Sequence, residues 1–250
     1  MDTHSLVHHI RLDLLAKLYS LESGRLKVLL LVQGVMLAQI AVLIPLMRPH
    51  RIASVVRSIA ESTEASDYRI IVIATGECAD AARELPVTLL EDNGGTWPQR
   101  INAGYKVSTE PMIFAAADDL EFHPGWFEAA MRSMSEMNDC GVVAVNDLMN
   151  RAGVHLIFSR SYIETVGAAM GEPLGTVICE SFQRAYSDDF ARRTAMHHER
   201  WRFCNDSVVE HLHCGLGKAP SDEVYTLGES SMAQGYAMYQ ELSSRFESLS

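Results

Sequence analysis

Two adjacent carboxylates, Asp118 and Asp119, directly follow an apolar run in the middle of the chain. The run covers residues 111 to 117, and a third acid, Glu121, follows two residues later. A buried strand ending here would place negative charge in the crevice where open α/β sheets bind ligands. Because adjacent carboxylates repel, the pattern predicts a site for Mg²⁺ or Mn²⁺ that would hold nucleotide phosphates. The alternative is a strand that ends in a solvated turn.

A second group of metal-binding residue types lies near the end of the chain. In V-V-E-H-L-H, His211 and His213 point to the same face of a strand, so both could reach one metal ion. Mn²⁺ accepts such mixed oxygen and nitrogen ligands. Four further zinc-ligand types lie nearby: His197, His198, Cys204 and Cys214. A zinc site is therefore an alternative. However, the spacing H-H-x5-C-x6-H-x-H-C fits no zinc arrangement that we can justify.

The elements that position these residues alternate between strands and helices. Strands are predicted at 41–46, 69–74, 87–90 and 112–116, with helices at 50–61, 77–84 and 97–107. This alternation predicts βαβ units and a parallel sheet with right-handed crossovers. The second half is less regular. We predict strands at 142–145, 154–158 and 208–212, helices at 160–170 and 232–246, one long helix or a helix pair at 179–196, and a polar loop at 218–230. Residues 6–21 have the apolar spacing of an amphipathic helix.

Composition indicates an ordinary globular protein. The chain has 250 residues, 48% hydrophobic content and a net charge of -11, which does not favour a nucleic-acid scaffold. Its five cysteines, without a C-x-x-C, indicate reduced thiols in a cytoplasmic protein. No secretory signal peptide is recognisable. Residues 28–47 carry no charge and meet the length of a membrane span, but polar residues interrupt them and their second half suits a strand better.

The segment A-D-D-L-E-F-H-P-G-W, residues 117–126, resembles the metal-binding segment N-D-D-x-E-x-x-P-G-W of family 2 glycosyltransferases with the GT-A fold, in particular phage and bacterial relatives. Six residues match: Asp118, Asp119, Glu121, Pro124, Gly125 and Trp126. The family's D-x-D motif falls on 117–119, and Ala117 stands in its first place. The resemblance implies a Mn²⁺ or Mg²⁺ site formed by Asp119, Glu121 and a late histidine, His213 first and His211 second.

Further segments extend the resemblance over roughly residues 41–225. L-I-P-L-M-R-P matches a base-contacting segment in kind, and N-G-G-T-W-P-Q-R-I-N-A-G-Y resembles G-x-x-x-A-R-N-x-G. Where the second strand ends, the family commonly has an acid and this chain has Thr75. Lys218, Asp222 and Tyr225 resemble a lid pattern. The implied contacts to the nucleotide sugar are Pro45, Arg48, Thr75, Arg100, Asn102, Asp118, Lys218 and Tyr225.

The resemblance also implies a general base. The pair Asp188 and Asp189 occupies the place where family members carry the acid that deprotonates the acceptor hydroxyl, and we prefer Asp189. A carboxylate suits this role if partial burial and a neighbouring acid raise its pKa towards neutrality. Alternatively, the pair caps the following helix, because aspartate is favoured at helix N-termini.

Together these patterns predict a single GT-A type α/β domain, with a Rossmann-like and mostly parallel sheet flanked by helices. The predicted divisions are a helical extension (1–40, of which 1–35 could be a mis-assigned start), a nucleotide-sugar half (41–145), an acceptor half with the late histidine and lid (146–230) and a closing helix (231–250). The implied activity is metal-dependent, inverting transfer of a hexosyl-type sugar from a nucleoside diphosphate to an acceptor hydroxyl on a glycan, lipid, protein or modified nucleobase. The alternatives are a nucleotidyltransferase, although the first strand lacks its Gly-rich loop, or an inactive nucleotide-sugar-binding relative.

Overall fold

The computed structural model describes residues 38–149 and 153–247 of the chain. The predicted amino-terminal helix, and all but the last three residues of the predicted extension, lie outside these ranges. Within the uncharged segment 28–47, the residues Ile40–Pro45 form the first strand of a sheet. Across the described ranges, no helix has both the length and the apolar character that crossing a membrane would require.

The described residues form eight strands and eight α-helices. The strands are β1 (Ile40–Pro45), β2 (Tyr68–Ala74), β3 (Thr88–Glu91), β4 (Met112–Ala115), β5 (Leu120–Phe122), β6 (Val142–Asn146), β7 (Leu156–Ser159) and β8 (Trp201–His211). The helices are α1 (Ile52–Ser62), α2 (Gly76–Arg83), α3 (Trp97–Val107), α4 (Trp126–Ser135), α5 (Arg160–Thr165), α6 (Ser187–His197), α7 (Glu223–Ser230) and α8 (Met232–Glu247). A short 3₁₀ turn covers Cys214–Leu216.

All eight strands join one sheet in the order β3-β2-β1-β4-β7-β6-β8-β5. The first four strands in the chain pair in parallel, as predicted. The second half is mixed: β7 runs antiparallel to β4 and β6, and β5 runs antiparallel to β8, whereas β6 and β8 are parallel. Strands β1 and β4 are parallel and pair in register from Ile40↔Met112 to Leu43↔Ala115. Their carboxyl ends therefore lie side by side at the same end of the sheet.

The sheet is covered on both faces, which explains its continuous apolar strands. In β1, Ile40, Val42 and Ile44 face a core built with α1, α2 and α4. The alternate residues Ala41 and Leu43 face a second core built with α3, α5 and α6. Both sets are fully buried, so β1 is apolar at every position. The predicted α/β sheet with flanking helices is therefore confirmed.

The sequence H-P-G-W turns the chain from β5 into α4. Gly125 has φ 86°, a left-handed conformation that glycine adopts without strain. The next residue, Trp126, is fully buried, and its indole Nε1 donates to Thr63 Oγ1 at 2.7 Å. Its ring packs against Phe114 and Phe122. The end of this motif thus anchors α4 beneath the sheet.

Several predicted elements differ from the structure in extent. The helix predicted at 179–196 is reduced to α6, because turns precede it and Tyr186 at its N-cap has φ 67°. The predicted polar loop at 218–230 contains α7, whose first turn is capped when Asp222 accepts a hydrogen bond from Tyr225 N. Strand β5 was not predicted, since three residues are too short to show a period, and β8 begins seven residues before the predicted 208–212.

Candidate functional site

Asp118 fixes the loop that follows β1. Its Oδ2 accepts hydrogen bonds from the backbone N–H groups of Met47 at 2.7 Å and Arg48 at 2.8 Å. Its Oδ1 accepts from Arg48 Nη1 at 2.6 Å. Both oxygens of this buried side chain are therefore used inside the protein, and Asp118 joins the carboxyl ends of β1 and β4.

Arg48 lies among three carboxylates. Beyond its bond to Asp118, its Nη1 is 3.3 Å from Asp119 Oδ2. Its Nε and Nη2 donate to the two oxygens of Asp222 at 2.6 and 3.3 Å. The ring of Tyr225 covers the guanidinium, with 4.2 Å from Cζ to the centroid. Burial opposes the charged form, but these acids outweigh it and raise the pKa of Arg48. The side chain is 2% exposed and permanently charged.

Asp119 is the buried acid that retains a free oxygen. Its Oδ2 accepts from the hydroxyl of Tyr225 at 3.1 Å and lies 3.3 Å from His211 Nε2. No hydrogen-bond partner reaches its Oδ1 among the described residues. Although burial favours the neutral acid, the hydrogen bond from His211 and the positive charge of Arg48 lower the pKa of Asp119. The site therefore contains an ionised carboxylate with one unsatisfied oxygen.

Three histidines, His155, His211 and His213, line the same cavity as Asp119. His211 packs edge-to-face on His155 at 4.9 Å and lies 5.1 Å from His213, between ring centroids. Burial lowers the pKa of both His211 and His213, which keeps them neutral. Neutral imidazole is the form that binds metal ions, and His211 Nδ1 has no hydrogen-bond partner among the described residues. An anionic oxygen beside neutral imidazoles is a donor set that suits Mn²⁺.

The described residues contain no group of three or more His, Cys, Asp or Glu side chains already arranged to hold a metal ion. The predicted ligand Glu121 is exposed on β5, where it pairs in register with Glu210, and it does not line the cavity described below. The zinc alternative lacks an assembled site, because His198 hydrogen bonds to Tyr162 OH at 2.9 Å and Cys204 Sγ donates to Ala129 O.

A cavity of about 520 Å³ opens beside Asp119. Its lining includes Asp119 with His155, His211, His213 and Tyr225. The start of α6 and the segment before it also line the cavity, with Arg184, Asp188 and Asp189. Thus the two acidic pairs predicted from the sequence, about 70 residues apart in the chain, each contribute to one cavity.

The two acids on α6 differ in environment. Asp189 Oδ1 accepts from Arg192 Nη2 at 2.8 Å and forms an ion pair with it. Burial, followed by the charge of Asp189, raises the pKa of Asp188 to about 7. Both lie in the first turn of α6, whose N-cap residue Tyr186 makes no side-chain capping bond. A carboxyl group with a pKa near neutrality can accept a proton and release it again.

Of the eight predicted nucleotide contacts, Tyr225 lines the cavity, and Arg48 and Asp118 lie next to it without lining the cavity. Arg100 is buried and forms a fork to Asp92, with 2.7 Å from Nε to Oδ2. Thr75 is exposed after β2, and Pro45 is buried at the end of β1. Lys218 pairs with Glu210 at 2.8 Å and does not line the cavity, unlike Tyr225.

Asn102 forms a clasp between α3 and the segment that leads to α6. Its Nδ2 donates to Ile178 O at 2.8 Å and Glu180 Oε1 at 2.9 Å. Its Oδ1 accepts from the N–H groups of Val177 at 2.9 Å and Ile178 at 3.1 Å. These four hydrogen bonds of the buried Asn102 amide all reach residues 75 to 78 positions further along the chain.

Replacing Asn102 by alanine is expected to lower the free energy of unfolding by about 3 kcal/mol, because it leaves buried N–H and C=O groups without partners. Urea denaturation measures this change. Asn205→Ala is the control, since Asn205 is exposed and its amide makes only a 3.5 Å contact to Asp206; its effect is expected within about 0.5 kcal/mol. Equal losses for the two variants would contradict the role of Asn102.

The cavity and site residues that were not predicted include Asp92, His155 and Arg184. Asp92 follows the third parallel strand, a position that could have been flagged because ligand-binding residues gather at carboxyl strand ends. His155 is buried with Nδ1 3.6 Å from Asp147 Oδ2. Arg184 lines the cavity and donates to Val224 O at 3.1 Å. No local pattern distinguishes these last two residues.

Comparisons with known proteins bear on the fold. No protein-family model and no curated protein matches the sequence. Among solved structures, the mannosyltransferase PcManGT from Pyrobaculum calidifontis, in complex with GDP-Man and Mn²⁺, is similar with a TM-score of 0.52 and 17% identity over 70% of this chain. TarS from S. aureus (residues 1–349) has a TM-score of 0.52 and 10% identity over 68% of this chain.

The chain spans 57% of the length of PcManGT and 59% of that of the TarS fragment, so each of them contains a large part with no counterpart here. At this level of identity the likeness concerns the fold. The mixed α/β architecture of this chain, an eight-stranded sheet flanked by helices, matches the fold of these structures, and the GT-A type fold that the sequence predicted is confirmed.

Proposed function

We propose that this protein is a metal-dependent glycosyltransferase that moves a sugar from a nucleoside diphosphate to an acceptor hydroxyl, with inversion. One observation carries the proposal: ionised Asp119, with an unsatisfied oxygen, lines the same cavity as Asp188, whose pKa is raised to about 7. The similarity in fold to a mannosyltransferase bound to GDP-Man and Mn²⁺ supports it.

Asp119, His211 and His213 would hold the divalent cation, and Mn²⁺ or Mg²⁺ bound there would neutralise the charge of the departing diphosphate. Tyr225 orients Asp119 through its hydroxyl, whose single proton is shared between Asp119 Oδ2 at 3.1 Å and Leu212 O at 2.9 Å. Burial raises the pKa of Tyr225 to about 12, so this hydroxyl stays protonated and remains a donor.

We assign the general base to Asp188 in preference to Asp189. In its ionised form Asp188 would accept the proton of the acceptor hydroxyl as the oxygen attacks the anomeric carbon. Asp189 supports this role through its charge, which is among the causes that raise the pKa of Asp188, and it is itself held by Arg192. A single displacement with one base on the acceptor side inverts the anomeric centre.

Arg184 is suited to bind the anionic part of the donor. Arg184 lines the cavity, and its Nη1 donates a hydrogen bond to a backbone carbonyl, Val224 O. No carboxylate among the described residues forms an ion pair with it. The remaining N–H donors can therefore reach phosphate oxygens, for which the planar guanidinium is well shaped.

A thermal-shift screen tests the proposal. UDP, GDP, CDP and dTDP sugars are each added with Mn²⁺, Mg²⁺ or EDTA. A ligand that binds only the folded state stabilises it by about 2.7 kcal/mol at a hundred times its dissociation constant. We expect a rise of several degrees in Tm with one nucleotide, abolished by EDTA. A folded protein that no donor stabilises, or one that binds a donor without ever releasing the nucleoside diphosphate, would contradict the proposed activity.

A further inference from the structure

Arg48 pairs with Asp118 and Asp222, two of the three carboxylates of the site, so their oxygens are not free to bind a metal ion. Asp118 uses both oxygens on Arg48 and the backbone of the β1–α1 loop. Asp222 uses Oδ2 on Arg48 Nε, while Oδ1 accepts from Arg48 Nη2 and Tyr225 N. Asp119 Oδ1 is the carboxylate oxygen of these three residues that has no partner.

The same guanidinium also opposes a second cation by its charge. The three aspartates and Arg48 have a formal sum of -3 + 1 = -2, compared with -3 if the arginine were absent. Nη1 is 3.3 Å from the oxygen of Asp119 that neighbours the free one. Because Arg48 and Asp119 are 2% exposed, water screens little of the repulsion between this charge and an incoming cation.

We propose that Arg48 is a built-in counter-cation that keeps the affinity of the site for a free divalent metal ion low, so that the metal is loaded together with the donor diphosphate. This inference rests on the proposed function. One free carboxylate oxygen and the imidazoles of His211 and His213 form an incomplete ligand set for Mg²⁺ or Mn²⁺, and phosphate oxygens of the substrate commonly complete such sets. The role of Arg48 is thus to position and neutralise acids, not to contact the nucleotide.

Calorimetric titration with Mn²⁺ tests the proposal in the full-length chain, first with Mn²⁺ alone and then with an equimolar mixture of UDP, GDP, CDP and dTDP. For the unmodified protein we expect Mn²⁺ alone to bind at least tenfold more weakly than Mn²⁺ with the nucleotides. Arg48→Met is expected to bind Mn²⁺ alone at least tenfold more tightly than the unmodified protein. Arg48→Lys retains the charge and is expected to stay close to the unmodified protein.

Asp222→Asn provides a test of opposite sign. This variant keeps Arg48 but removes one negative charge, so the formal sum becomes -1 and Mn²⁺ alone is expected to bind at least threefold more weakly. A loss of local structure would shift both variants in the same direction, whereas the counter-cation role shifts them in opposite directions. If Arg48→Met fails to fold, the test rests on Asp222→Asn. The proposal is overturned if folded Asp222→Asn binds Mn²⁺ alone as tightly as the unmodified protein, or more tightly.

Arg83→Met is the matched control, because Arg83 also pairs with two acids, Asp80 and Glu91, but on the surface away from the cavity. Its Mn²⁺ affinity is expected to equal that of the unmodified protein. If the unmodified protein binds no Mn²⁺ even with the nucleotides, the proposed function fails. If it binds Mn²⁺ but Arg48 and Asp222 do not alter the affinity, the proposed function stands and the counter-cation inference fails.

Discussion

Replacement of Asp119 by asparagine is expected to lower the rate of sugar transfer at least about a thousandfold and to abolish the stabilisation by Mn²⁺. The amide can still accept the hydrogen bond from Tyr225, so the change is mainly a loss of charge at the oxygen that would bind the cation. Removing a group that stabilises charge in the transition state typically costs a factor of a hundred to a thousand. The loss of a metal ligand adds to this effect.

The measurement is nucleoside diphosphate release with the donor identified by thermal shift, together with Mn²⁺ titration. Glu128→Gln serves as the control, since it also removes one carboxylate but lies exposed on α4. It is expected to retain full activity. Unchanged transfer in Asp119→Asn, in a variant whose fold is verified by thermal unfolding, would exclude Asp119 from the reaction.

Replacement of Asp188 by asparagine is expected to reduce transfer by a factor of about a hundred to ten thousand, the range that a general base contributes. In the unmodified protein the base must be ionised, so kcat is expected to rise with pH through about 7 and to level off above. The variant has no group to titrate there and is expected to lose this limb. A limb near pH 7 that persists in Asp188→Asn would show that another group is the base.

Asp188→Asn is also expected to change how the free energy of unfolding depends on pH. Because the pKa of Asp188 in the folded state is raised from 3.8 to about 7, the neutral form is favoured by folding. Its contribution to stability is fully present below about pH 4 and is lost as pH rises through about 7. A tenfold change in an acid dissociation constant corresponds to about 1.4 kcal/mol. Since the side chain is partly solvent-accessible, we discount the total to about 2 kcal/mol.

Asp188→Asn is therefore expected to match the unmodified protein in stability at pH 4 and to exceed it by about 2 kcal/mol at pH 8. Urea denaturation at the two pH values measures the difference. Glu128→Gln is the matched control: its carboxylate lies exposed on α4, away from Asp188, and it is expected to show no gain at pH 8. A variant that is more stable yet inactive would identify Asp188 as an acid retained for its chemistry.

The sequence alone determined those parts of the protein whose causes are local. Helix α3 was predicted with the bounds that the structure has, because its start is fixed by a capping box between Thr96 and Gln99. The parallel strands β1, β2 and β4 were predicted within one or two residues, since burial on both faces makes them continuously apolar. The position of Asp118 and Asp119 after β4 followed from the same cause.

The tertiary structure decided what depends on contacts between distant residues. Arg48 was predicted to contact the nucleotide, and the structure shows its ion pairs with acids 70 to 174 residues away. Asn102 was predicted to do the same, and the structure shows its amide bonded to residues 75 to 78 positions along the chain. The local sequence does not reveal these partners, because an arginine or asparagine side chain has the same hydrogen-bond donors whichever acceptor it contacts.

The difference between Asp188 and Asp189 has the same origin. In the sequence the two residues are equivalent neighbours, and the pattern favoured Asp189. Only the fold gives Asp188 the surroundings that raise its pKa and places Asp189 beside Arg192. The sequence thus determined which residue types reach the site. The packing of the second half of the chain decided which of them are ionised, paired or free, because solvation and charge pairing depend on distance in space.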